Sequence, residues 1–544
     1  MMATRGNIYG TGPTHVAVNN FAERVDRIVS SVTDRYNEGK AADDATRARF
    51  KLVVRGNKLG DEVTALMNLL RSPHDGDDAA PGRRWGRGPS RWRLHLSLAF
   101  WILVLLRSPG VRELRADDSS ALWKLREDVD SREDLARLRS LATEELDWGE
   151  YVKGEVVLKD TILALMMAIL EGADMLCTTP ALSCQEPYES WKLKKARGIA
   201  VDEAGNITRP DLYSVWGNTL LPCLLAGDDK QLSPVVMTIK EKDAEGNFVN
   251  RFARDGKISP LQFFKASGWP VFRLRVQLRM AQDLFCLSHK EAYPDVPFTY
   301  GKQCDIDHPV HKIGRDLEQY VTTRYGVKPS PQGTLREVFV HCEGSRCFVD
   351  QVTRSKKNPD QVRLALGFLC DFVTATKADP AKIIVIAPYK ANVELINRQL
   401  KHTQNDILKA MQPATTVDSV QGKEGQLVVV VMGTTMAIGP GFTTDEQRLN
   451  VMLSRQVSGL LVFGDINVVG KIGEKEKGKG KGKGGDKAKG VTKFQVVTDT
   501  GEIAWANGSM LRNVLTEMLS IGRVISLEVS PKEKTAEPSS SSVP

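Results

Sequence analysis

The sequence lacks the features that mark disulfide-stabilised, membrane-spanning or secreted proteins. Its eight cysteines include no Cys-x-x-Cys pair and match neither a zinc ribbon nor a zinc finger. The most apolar window, residues 94–106, is interrupted by His95 and Ser97, and it is shorter than the roughly 20 residues that a bilayer span needs. No basic-then-apolar signal pattern opens the chain. These absences favour reduced thiols, a buried helix in that window, and a nuclear or cytoplasmic location.

One short stretch keeps a metal site open as an alternative. Cys304, His308 and His311 lie close together in the sequence, and thiolate and imidazole are zinc ligands. We favour the alternative, scattered reduced thiols of an intracellular protein.

A strong excess of one charge sign is also missing from most of the chain. The 544 residues carry a net charge of +8, but residues 471–490 alone hold eight Lys against three acidic residues, a surplus of five. Charged residues at 26% and hydrophobic residues at 41% are ordinary for a globular protein. Bulk charge therefore gives no argument for nucleic-acid binding.

Apolar runs that end in polar residues alternate with helical patterns along much of the chain. This alternation is typical of an α/β fold whose parallel strands present their polar ends along one crevice. The predicted strands are 173–179, 198–201, 222–226, 383–387, 427–432 and 460–463. The predicted helices are 16–25, 61–70, 131–146, 161–170 and 361–376.

The order of these patterns predicts two α/β lobes joined near residues 265–350, since the length allows two to four domains. The first lobe is predicted from residues 1–30 and 151–264, with 31–150 as an irregular insertion, and the second from residues 265–470. The predicted remainder is a Gly/Lys linker at 471–490, a C-terminal extension at 491–528 that supplies a last strand and helix, and a disordered Pro/Ser tail at 529–544.

Within the insertion, residues 75–93 form a linker rich in Gly, Pro and Arg. Five arginines alternate there with two tryptophans: Arg83, Arg84, Arg87, Arg91, Arg93, Trp85 and Trp92. Such a mixture can grip a phosphate backbone and stack on bases. We favour the alternative, a solvated loop that leads into the buried helix.

Several strand ends carry residues suited to nucleoside triphosphate hydrolysis. Asp202 and Glu203 follow an apolar strand, where one carboxylate holds Mg²⁺ through water and its neighbour polarises the attacking water. Gln231 follows the next strand and can sense a γ-phosphate. Arg279 and Arg455 are candidates for stabilising the charge of phosphoryl transfer.

Taken together and in order, these stretches carry a family resemblance. They are residues 12–20 (GPTHVAVNN), 202–205 (DEAG), 227–234 (GDDKQLSP), 277–280 (QLRM), 387–392 (APYKAN), 414–425 and 447–455. They resemble motifs Ia, II, III and IV, the second-lobe Pro-Tyr motif, and motifs V and VI of superfamily 1 helicases. The resemblance points to the Upf-like branch, which includes the nonsense-mediated-decay helicase. Leu278 and Asn392 depart from the Tyr and Gln that this branch prefers.

The resemblance implies two RecA-like P-loop NTPase lobes with parallel sheets, ATP and Mg²⁺ as ligands, and 5′ to 3′ movement along single-stranded RNA or DNA. The implied catalytic residues are Asp202, which also binds the metal, Glu203, Gln231, Arg279 and Arg455. The implied nucleotide-binding residues are Asp228, Gln277, Gly422, Lys423 and Glu424. The implied nucleic-acid-binding residues are Thr14, Asn20, Thr178, Thr179, Pro388, Tyr389 and Thr416.

The P-loop of that family, G-x-x-x-x-G-K-[ST], is missing from the sequence. The resemblance places it before motif Ia, which here begins at residue 12, and no Gly-Lys in the chain is followed by Ser or Thr. Without this loop no backbone nest cradles the phosphates and no lysine reaches them. We therefore expect an N-terminally truncated first lobe that lacks one central strand of its sheet.

Three functional hypotheses remain open from the sequence. The leading one is an ATP-dependent helicase of the Upf-like branch whose N-terminal portion is absent. The second is a catalytically inactive pseudo-helicase that binds nucleic acid or protein, and the third is a non-functional fragment. For this polypeptide we expect weak ATP binding and little or no hydrolysis.

Overall fold

The computed structural model describes residues 2–41, 43–80, 92–217, 219–238, 241–420, 422–472, 493–497 and 503–529. Four predictions fall wholly or largely outside these residues: most of the Arg/Trp linker, the greater part of the 471–490 segment, the 529–544 tail, and Gln421 of the motif V stretch. Within the described residues, no helix is both long and apolar enough to cross a membrane.

The chain divides into two compact units. The first consists of Met1–Asp229 and Ser233–Trp269, and the second of Lys230–Leu232 and Pro270–Pro544. Each unit contains a parallel sheet with helices packed against it. This architecture confirms the predicted α/β class with parallel sheets.

The first unit holds five strands and twelve helices among its described residues. The strands are β1 Ile8–Thr11, β2 Val53–Arg55, β3 Met175–Thr178, β4 Gly198–Val201 and β5 Cys223–Leu225. The helices are α1 Met2–Arg5, α2 His15–Asn37, α3 Leu59–Arg71, α4 Leu98–Leu105, α5 Ser120–Ser131, α6 Ala136–Ala142, α7 Trp148–Lys153, α8 Lys159–Glu171, α9 Tyr188–Lys194, α10 Arg209–Trp216, α11 Ala253–Gly256 and α12 Pro260–Ala266.

The strands of the first sheet lie in the order β2-β3-β1-β4-β5, and every pair is parallel. All residues of β1 to β4 are buried, as expected for a parallel sheet covered on both faces. The strands present form one continuous sheet around β1, and among the described residues each outer strand, β2 and β5, has one side without a strand partner. The absence of one further strand from this sheet stays a prediction.

Residues 31–150 form part of the first unit rather than a separate insertion. They supply strand β2, and the eight residues of α4 are at most 8% exposed within the main core of the unit. The apolar window at 94–106 is therefore a buried helix, as predicted. The predicted continuous helix at 131–146 is wrong, because α5 ends at Ser131 and α6 spans only Ala136–Ala142.

The second unit holds twelve strands and seven helices among its described residues. The strands are β6 Val276–Gln277, β7 Thr299–Tyr300, β8 Val338–Glu343, β9 Phe348–Val349, β10 Lys356–Lys357, β11 Ile383–Ala387, β12 Thr415–Thr416, β13 Gly425–Val431, β14 Gln456–Gly464, β15 Lys493–Val497, β16 Ile503–Asn507 and β17 Val524–Glu528. The helices are α13 Cys286–Ala292, α14 Lys312–Tyr325, α15 Pro359–Thr376, α16 Lys390–Gln399, α17 Val417–Val420, α18 Glu446–Met452 and α19 Ser509–Ser520.

The main sheet of the second unit has six parallel strands in the order β12-β11-β13-β14-β8-β17. Strands β13 and β14 are central and almost entirely buried. Helix α19 and strand β17 match the strand and helix predicted for the C-terminal extension. Because β17 pairs with β8, this extension is part of the second unit's sheet.

The boundary between the units falls later than the predicted position between residues 264 and 265. Helix α12 and Trp269 belong to the first unit: the ring of Phe264 lies 6.2 Å from that of Trp216 and 5.4 Å from that of Trp269. The Lys265 ammonium also pairs with Asp229 at 2.8 Å. Aromatic packing thus holds this segment in the first unit.

Candidate functional site

Two carboxylates follow β4 at the carboxyl end of the first sheet. The backbone N–H of Asp202 donates to the carbonyl of Thr11 at 2.9 Å, and the N–H of Glu203 donates to Asp202 Oδ1 at 3.0 Å. Burial raises the pKa of Asp202, while the Glu203 N–H and the charge of Arg24 act in the opposite direction. A cation beside Asp202 would offset this desolvation of its carboxylate.

The loops that follow β4 and β5 approach each other closely. A Cβ atom on Gly205 would lie 2.3 Å from the carbonyl oxygen of Asp228, and one on Gly227 would lie 2.6 Å from the nitrogen of Ala204. Only glycine permits this contact between backbones. Glu203 has a φ of 53°, in the left-handed region, and such strain is concentrated at functional sites.

The Asp202 carboxylate fits one part of a hydrated Mg²⁺ site. Mg²⁺ is usually held by one or two carboxylates together with water and substrate phosphates. Among the described residues, no group of three His, Cys, Asp or Glu side chains is arranged to hold a metal. The metal at Asp202 stays a prediction.

The predicted motif Ia residues lie at the start of α2. Thr14 is exposed and its Oγ1 accepts a hydrogen bond from the N–H of Ala17 at 3.1 Å, which caps the helix. Asn20 is half-buried in the second turn. A capped helix start of this kind presents backbone N–H groups that suit a phosphate oxygen.

The structure does not bring Thr178 or Thr179 to the surface, which contradicts their prediction as nucleic-acid contacts. Thr178 is fully buried, and its hydroxyl is hydrogen-bonded to the Tyr9 hydroxyl and donates to the carbonyl of Thr179 at 3.0 Å. Thr11 Oγ1 donates to the Thr178 carbonyl at 2.8 Å. Because Thr178 lies on a strand packed on both faces, its hydroxyl serves the interior; Thr179 is 9% exposed.

Two arginines and a glutamine meet in the second unit, and Arg455 directly precedes the amino end of β14. Arg455 is 4% exposed, and its Nη2 donates to Gln231 Oε1 and to Ser454 Oγ, each at 3.0 Å. Arg279 Nη2 donates to the Ser454 carbonyl at 2.5 Å, and its Nη1 lies 3.7 Å from Glu424 Oε2. The structure thus brings together four of the predicted nucleotide-handling residues.

Gln277 and Asn450 hold this cluster in place through side-chain amides. Gln277 Oε1 accepts from the N–H of Arg279 at 2.9 Å, which fixes the turn that carries the arginine. Asn450 Nδ2 donates to the carbonyl of Lys230 at 3.0 Å. Gln231 therefore packs with the second unit, contrary to its predicted place in the first lobe, because Leu232 joins a core cluster of that unit.

Four predicted nucleotide-binding residues lie in exposed or half-buried turns. Gly422, Lys423 and Glu424 form an exposed turn before β13, in which Gly422 has a φ of 74°. Asp228 is half-buried in the turn after β5 in the first unit. Of these four, Glu424 contacts a predicted arginine, with its Oε2 3.7 Å from Arg279 Nη1.

The second unit also carries a cavity of about 680 Å³ beside the Pro-Tyr loop. Its wall includes two predicted nucleic-acid contacts, Pro388 and Thr416, both half-buried. Basic and aromatic side chains that were not predicted as site residues also line it: Arg354, Lys356, Lys390 and Phe442. Of these, Arg354 and Lys356 belong to a cluster of Arg and Lys at 354–357, and Lys390 lies within the 387–392 motif.

Tyr389 is a structural residue of this cavity rather than an exposed stacking platform. It is 3% exposed; its hydroxyl donates to the carbonyl of Pro440 at 3.3 Å and accepts from the N–H of Phe442 at 2.9 Å. Its ring stacks on that of Phe442 at 5.5 Å, with Lys356 Nζ 5.4 Å from the ring centre. The predicted contact of Tyr389 with nucleic acid is therefore corrected to a role in positioning the 440–442 loop.

The metal alternative near Cys304 is not supported by the geometry. His311 is fully buried, with Nδ1 3.0 Å from Ser458 Oγ and Nε2 2.9 Å from the carbonyl of Gln303. Burial lowers its pKa. Cys304 Sγ donates to the carbonyl of Gln277 at 3.1 Å. These side chains hold backbone and hydroxyl groups of the second unit.

Sequence comparison assigns these elements to a family. A family profile described as an AAA domain matches residues 257–467. The chain is 25% identical over 331 residues to regulator of nonsense transcripts 1 of Caenorhabditis elegans, and 24% identical over 344 residues to ATP-dependent helicase upf1 of Schizosaccharomyces pombe. These matches support the predicted similarity of the chain to the Upf-like branch of superfamily 1 helicases, which is an ATP-binding helicase family.

The matches to these Upf-like helicases cover part of each protein. They span 58% and 62% of this chain but 28% and 33% of the two relatives. The match to 3′-5′ exoribonuclease HELZ2 of Mus musculus, at 25% identity, spans 54% of this chain and 9% of that protein. A solved arterivirus nonstructural protein 10 helicase aligns over 84% of this chain and 59% of its own at 11% identity, with a TM-score of 0.26.

Proposed function

We propose that this chain is part of an ATP-dependent helicase that couples ATP hydrolysis to movement along single-stranded RNA or DNA. The observation that supports it most is the cluster of Arg279, Arg455, Gln231 and Glu424 in the second unit. Because the chain spans about a third or less of the Upf-like relatives described above, the activity of the whole protein is part of the proposal. We expect it to act in the nucleus or cytoplasm.

The arginine cluster is suited to receive a phosphate group. Arg455 Nη2 donates to neutral acceptors, the Gln231 amide oxygen and the Ser454 hydroxyl. A phosphate oxygen is a charged acceptor and forms stronger hydrogen bonds with a guanidinium. We assign to Arg455 and Arg279 the stabilisation of the negative charge that develops on the transferred phosphoryl group. We assign to Gln231 the sensing of the γ-phosphate.

In the first unit, we assign Asp202 to the Mg²⁺ that accompanies ATP and Glu203 to the attacking water. Bound Mg²⁺ supplies charge neutralisation on the phosphates. The burial that raises the pKa of Asp202 supports a role for this side chain with a cation. The closely packed glycine turns at Gly205 and Gly227 fix the backbone beside these carboxylates.

Single-stranded nucleic acid is proposed to contact the exposed start of α2 and the cavity beside the Pro-Tyr loop. Thr14 and Asn20 mark the first surface, and Pro388, Lys390 and Thr416 mark the second. Backbone N–H groups, hydroxyls and a lysine suit phosphates without reading sequence. These groups do not distinguish RNA from DNA.

Fluorescence anisotropy with labelled oligo-U and oligo-dT tests the nucleic-acid surface. Lys390→Ala and Thr416→Ala should weaken binding, and Lys390→Ala should lower the slope of log Kd against log salt by about 1. Lys401→Ala, another exposed lysine of the same unit, is the matched control and should bind like the wild type. Equal binding by all four proteins would contradict this surface.

ATP turnover is tested by phosphate release with and without oligo-U. Because no Gly-Lys in the sequence is followed by Ser or Thr, we expect weak ATP binding and little or no hydrolysis by this polypeptide. Strand-stimulated hydrolysis that Glu203→Gln abolishes would show that the assigned carboxylates work without a P-loop. That result would overturn the expectation of impaired turnover.

A nucleic-acid or protein binding module without turnover is the second candidate function. The missing P-loop sequence favours it. In that case ATP and Mg²⁺ should leave the Kd for oligo-U unchanged, and Arg455→Ala should have no effect on any nucleotide response. A Kd that changes with ATP in the wild type, but not in Arg455→Ala, would favour the helicase instead.

A further inference from the structure

The first unit contains a cavity of its own, of about 690 Å³. Its walls come from four segments: the second half of α2, the residues just before β2, the region of α4, and the chain from α4 to α5. Phe50, Lys51 and Leu52 precede β2, so the cavity lies at the amino end of the first sheet. Asp202 and Glu203 follow the carboxyl end of β4, and the cavity is therefore separate from these two carboxylates.

The first unit itself already covers the edge strand beside this cavity. Val53, Val54 and Arg55 of β2 are at most 2% exposed, so a further strand has no accessible edge to pair with there. The walls are also strongly charged, since seven of the sixteen residues that line the cavity are Asp, Arg or Lys. A protein segment packed into the cavity would bury these charges at a high cost in free energy. A small polar ligand would leave the exposed ones in water.

Two arginines of the wall lie over aromatic rings. The guanidinium carbon of Arg112 is 5.1 Å from the centre of the Trp101 ring, and that of Arg115 is 5.5 Å from the centre of the Phe50 ring. The buried Asp118 carboxylate accepts from both Nη atoms of Arg112, at 2.6 and 3.0 Å, and from the N–H of Arg115 at 2.7 Å. A guanidinium plane fixed in this way is a surface on which a nucleobase can stack.

A half-buried carboxylate of α2 also lines the cavity. Within the described part of the chain, Asp26 has neither a hydrogen bond nor an ion pair. Burial raises its pKa, while the charges of His95, Arg112 and Arg115 act in the opposite direction. An ionised carboxylate has acceptor oxygens only, so N–H donors from a ligand would satisfy it.

The charges around Asp26 favour an uncharged donor group. A cation placed beside this carboxylate would be repelled by Arg112 and Arg115, and an anion would be repelled by Asp26 itself. A neutral, planar group with two adjacent N–H donors avoids both penalties. Among the common nucleobases only guanine has such an edge, formed by its N1–H and its 2-amino group. The corresponding edge of adenine has an acceptor nitrogen instead.

We propose that this cavity binds a guanine nucleotide. The Asp26 carboxylate accepts from N1–H and the 2-amino group of the base, and the base stacks on the Arg112 guanidinium. The exposed Arg27 and Arg115 bind the phosphate. The volume of about 690 Å³ falls within the range of roughly 300–1,000 Å³ that is usual for small-molecule sites. This proposal does not depend on ATP hydrolysis or on nucleic-acid binding.

Isothermal titration calorimetry of the full chain tests the proposal with three purine nucleotides. Inosine monophosphate lacks the 2-amino group, so its Kd should be about tenfold higher than that of guanosine monophosphate (GMP). Adenosine monophosphate lacks both donors on that edge, and its Kd should be about a hundredfold higher. Excess ADP should leave the Kd for GMP unchanged, because the cavity is separate from the carboxylates assigned to ATP chemistry.

One substitution should exchange the base preference of the site. Asp26→Asn replaces an acceptor oxygen by an N–H₂ donor, so it should raise the Kd for GMP about tenfold or more. The same variant should bind xanthosine monophosphate more tightly than GMP, because the 2-carbonyl of xanthine accepts from the new amide. A gain of this kind also shows that the variant is folded. Asp128→Asn, at an exposed position of α5 outside the cavity, is the matched control and should bind GMP like the wild type.

Three outcomes would overturn the proposal. The first is no heat of binding at about 1 mM GMP, a concentration that corresponds to only about 4 kcal/mol of binding free energy. The second is an equal Kd for the three purine nucleotides, because the site would then recognise the phosphate and not the base. The third is displacement of GMP by ADP, or an equal loss of GMP binding in Asp26→Asn and Asp128→Asn, because the nucleotide would then lie outside this cavity.

Discussion

The two sheets of this protein are built from similar residues but are closed differently. In the first sheet, β5 has the sequence Cys-Leu-Leu and lies at an edge with Leu224 53% exposed. In the second sheet, β14 contains Leu460 and Leu461, and both are fully buried between β13 and β8. The difference shows that the apolar character of a strand does not decide its burial. The presence of a neighbour on each side decides it.

The second sheet is closed at one side by the C-terminal extension, and a buried arginine fixes that closure. Arg523 is 1% exposed and precedes β17; its Nη1 and Nη2 pair with both carboxylate oxygens of Glu318 at 3.0 and 2.7 Å. It also donates to the carbonyls of Lys328, Arg336 and Glu337. The first sheet has no comparable closure beyond β5 among its described residues.

Removing the Arg523 side chain, which fixes this closure, is expected to give the largest loss of stability. Arg523→Ala should lower the free energy of unfolding of the second unit by about 3–5 kcal/mol, because it leaves the Glu318 carboxylate without its buried partner. Arg324→Ala is the matched control, since its pair with Asp371 is about half exposed, and it should cost much less stability than Arg523→Ala because water screens an exposed pair. Urea denaturation followed by hydrogen exchange of β17 and β8 measures both. Equal losses would show that Arg523 does not anchor the strand.

The same Leu-to-Ala substitution in a central strand and in an edge strand should have different effects on the free energy of unfolding. Leu461→Ala should cost about 2–5 kcal/mol because it leaves a cavity in a packed core. Leu224→Ala should change the free energy of unfolding by less than about 0.5 kcal/mol, since the side chain is largely in water. Thermal unfolding of the two variants checks the difference. A large loss in Leu224→Ala would mean that the edge of β5 is covered in solution.

A smaller effect concerns Glu337, which is buried beside the Arg523 closure. Burial raises its pKa from 4.5 to about 8, while Arg523 and Arg336 act in the opposite direction. At a pH between these two pKa values, the native state therefore keeps Glu337 protonated, whereas the unfolded state does not. The free energy of unfolding of the second unit should fall as pH rises from 4.5 to about 8 and then level off.

Glu337→Gln should remove this pH dependence and stabilise the second unit by about 1 kcal/mol or more at pH 9, with little change at pH 4.5. Urea midpoints across that pH range measure the effect. Glu528→Gln, at the exposed end of β17, is the control and should leave the profile unchanged. A wild-type profile that stays flat from pH 4.5 to 9 would contradict the raised pKa of Glu337.

The smallest expected effect lies in the first unit, at the carboxylate assigned to Mg²⁺. Burial raises the pKa of Asp202, so its ionised form costs stability above the unfolded pKa. Asp202→Asn should therefore stabilise the first unit by about 0.5–1 kcal/mol at pH 7, and the gain should vanish as pH falls below the ordinary value for Asp. Eight of the nine tryptophans fall within the sequence range of this unit, so Trp fluorescence reports it. Destabilisation by Asp202→Asn at pH 7 would contradict this.

Much of the fold was accessible from sequence patterns. The apolar runs at 198–201, 383–387 and 427–432 correspond to β4, β11 and β13 to within two residues, because a strand buried on both faces is a continuous apolar run. The helix expected at 131–146 failed because its charged pattern did not reveal the break after Ser131. Short strands such as β12 also escaped prediction, since two residues carry too little periodicity.

The residues of the candidate site were likewise only partly predictable from the sequence. The motif order predicted Arg279, Arg455 and Gln231 as catalytic residues, and the structure places them close together; their catalytic roles stay predictions. The prediction for Thr178 failed because a hydroxyl at a strand end looks the same in sequence whether it faces water or Tyr9. The role of Arg523 was invisible, since its partner Glu318 lies 205 residues away.

By itself, the sequence determined the α/β class, the two-lobe order and the resemblance to Upf-like helicases, because these depend on local apolar runs and on motifs a few residues long. The tertiary structure alone decided which side chains are buried, where the extension pairs, and which sheet edge stays open. Burial and edge pairing depend on contacts between distant segments, and local patterns do not encode them. For that reason β5, an apolar run like the others in sequence, has its open edge only in the fold.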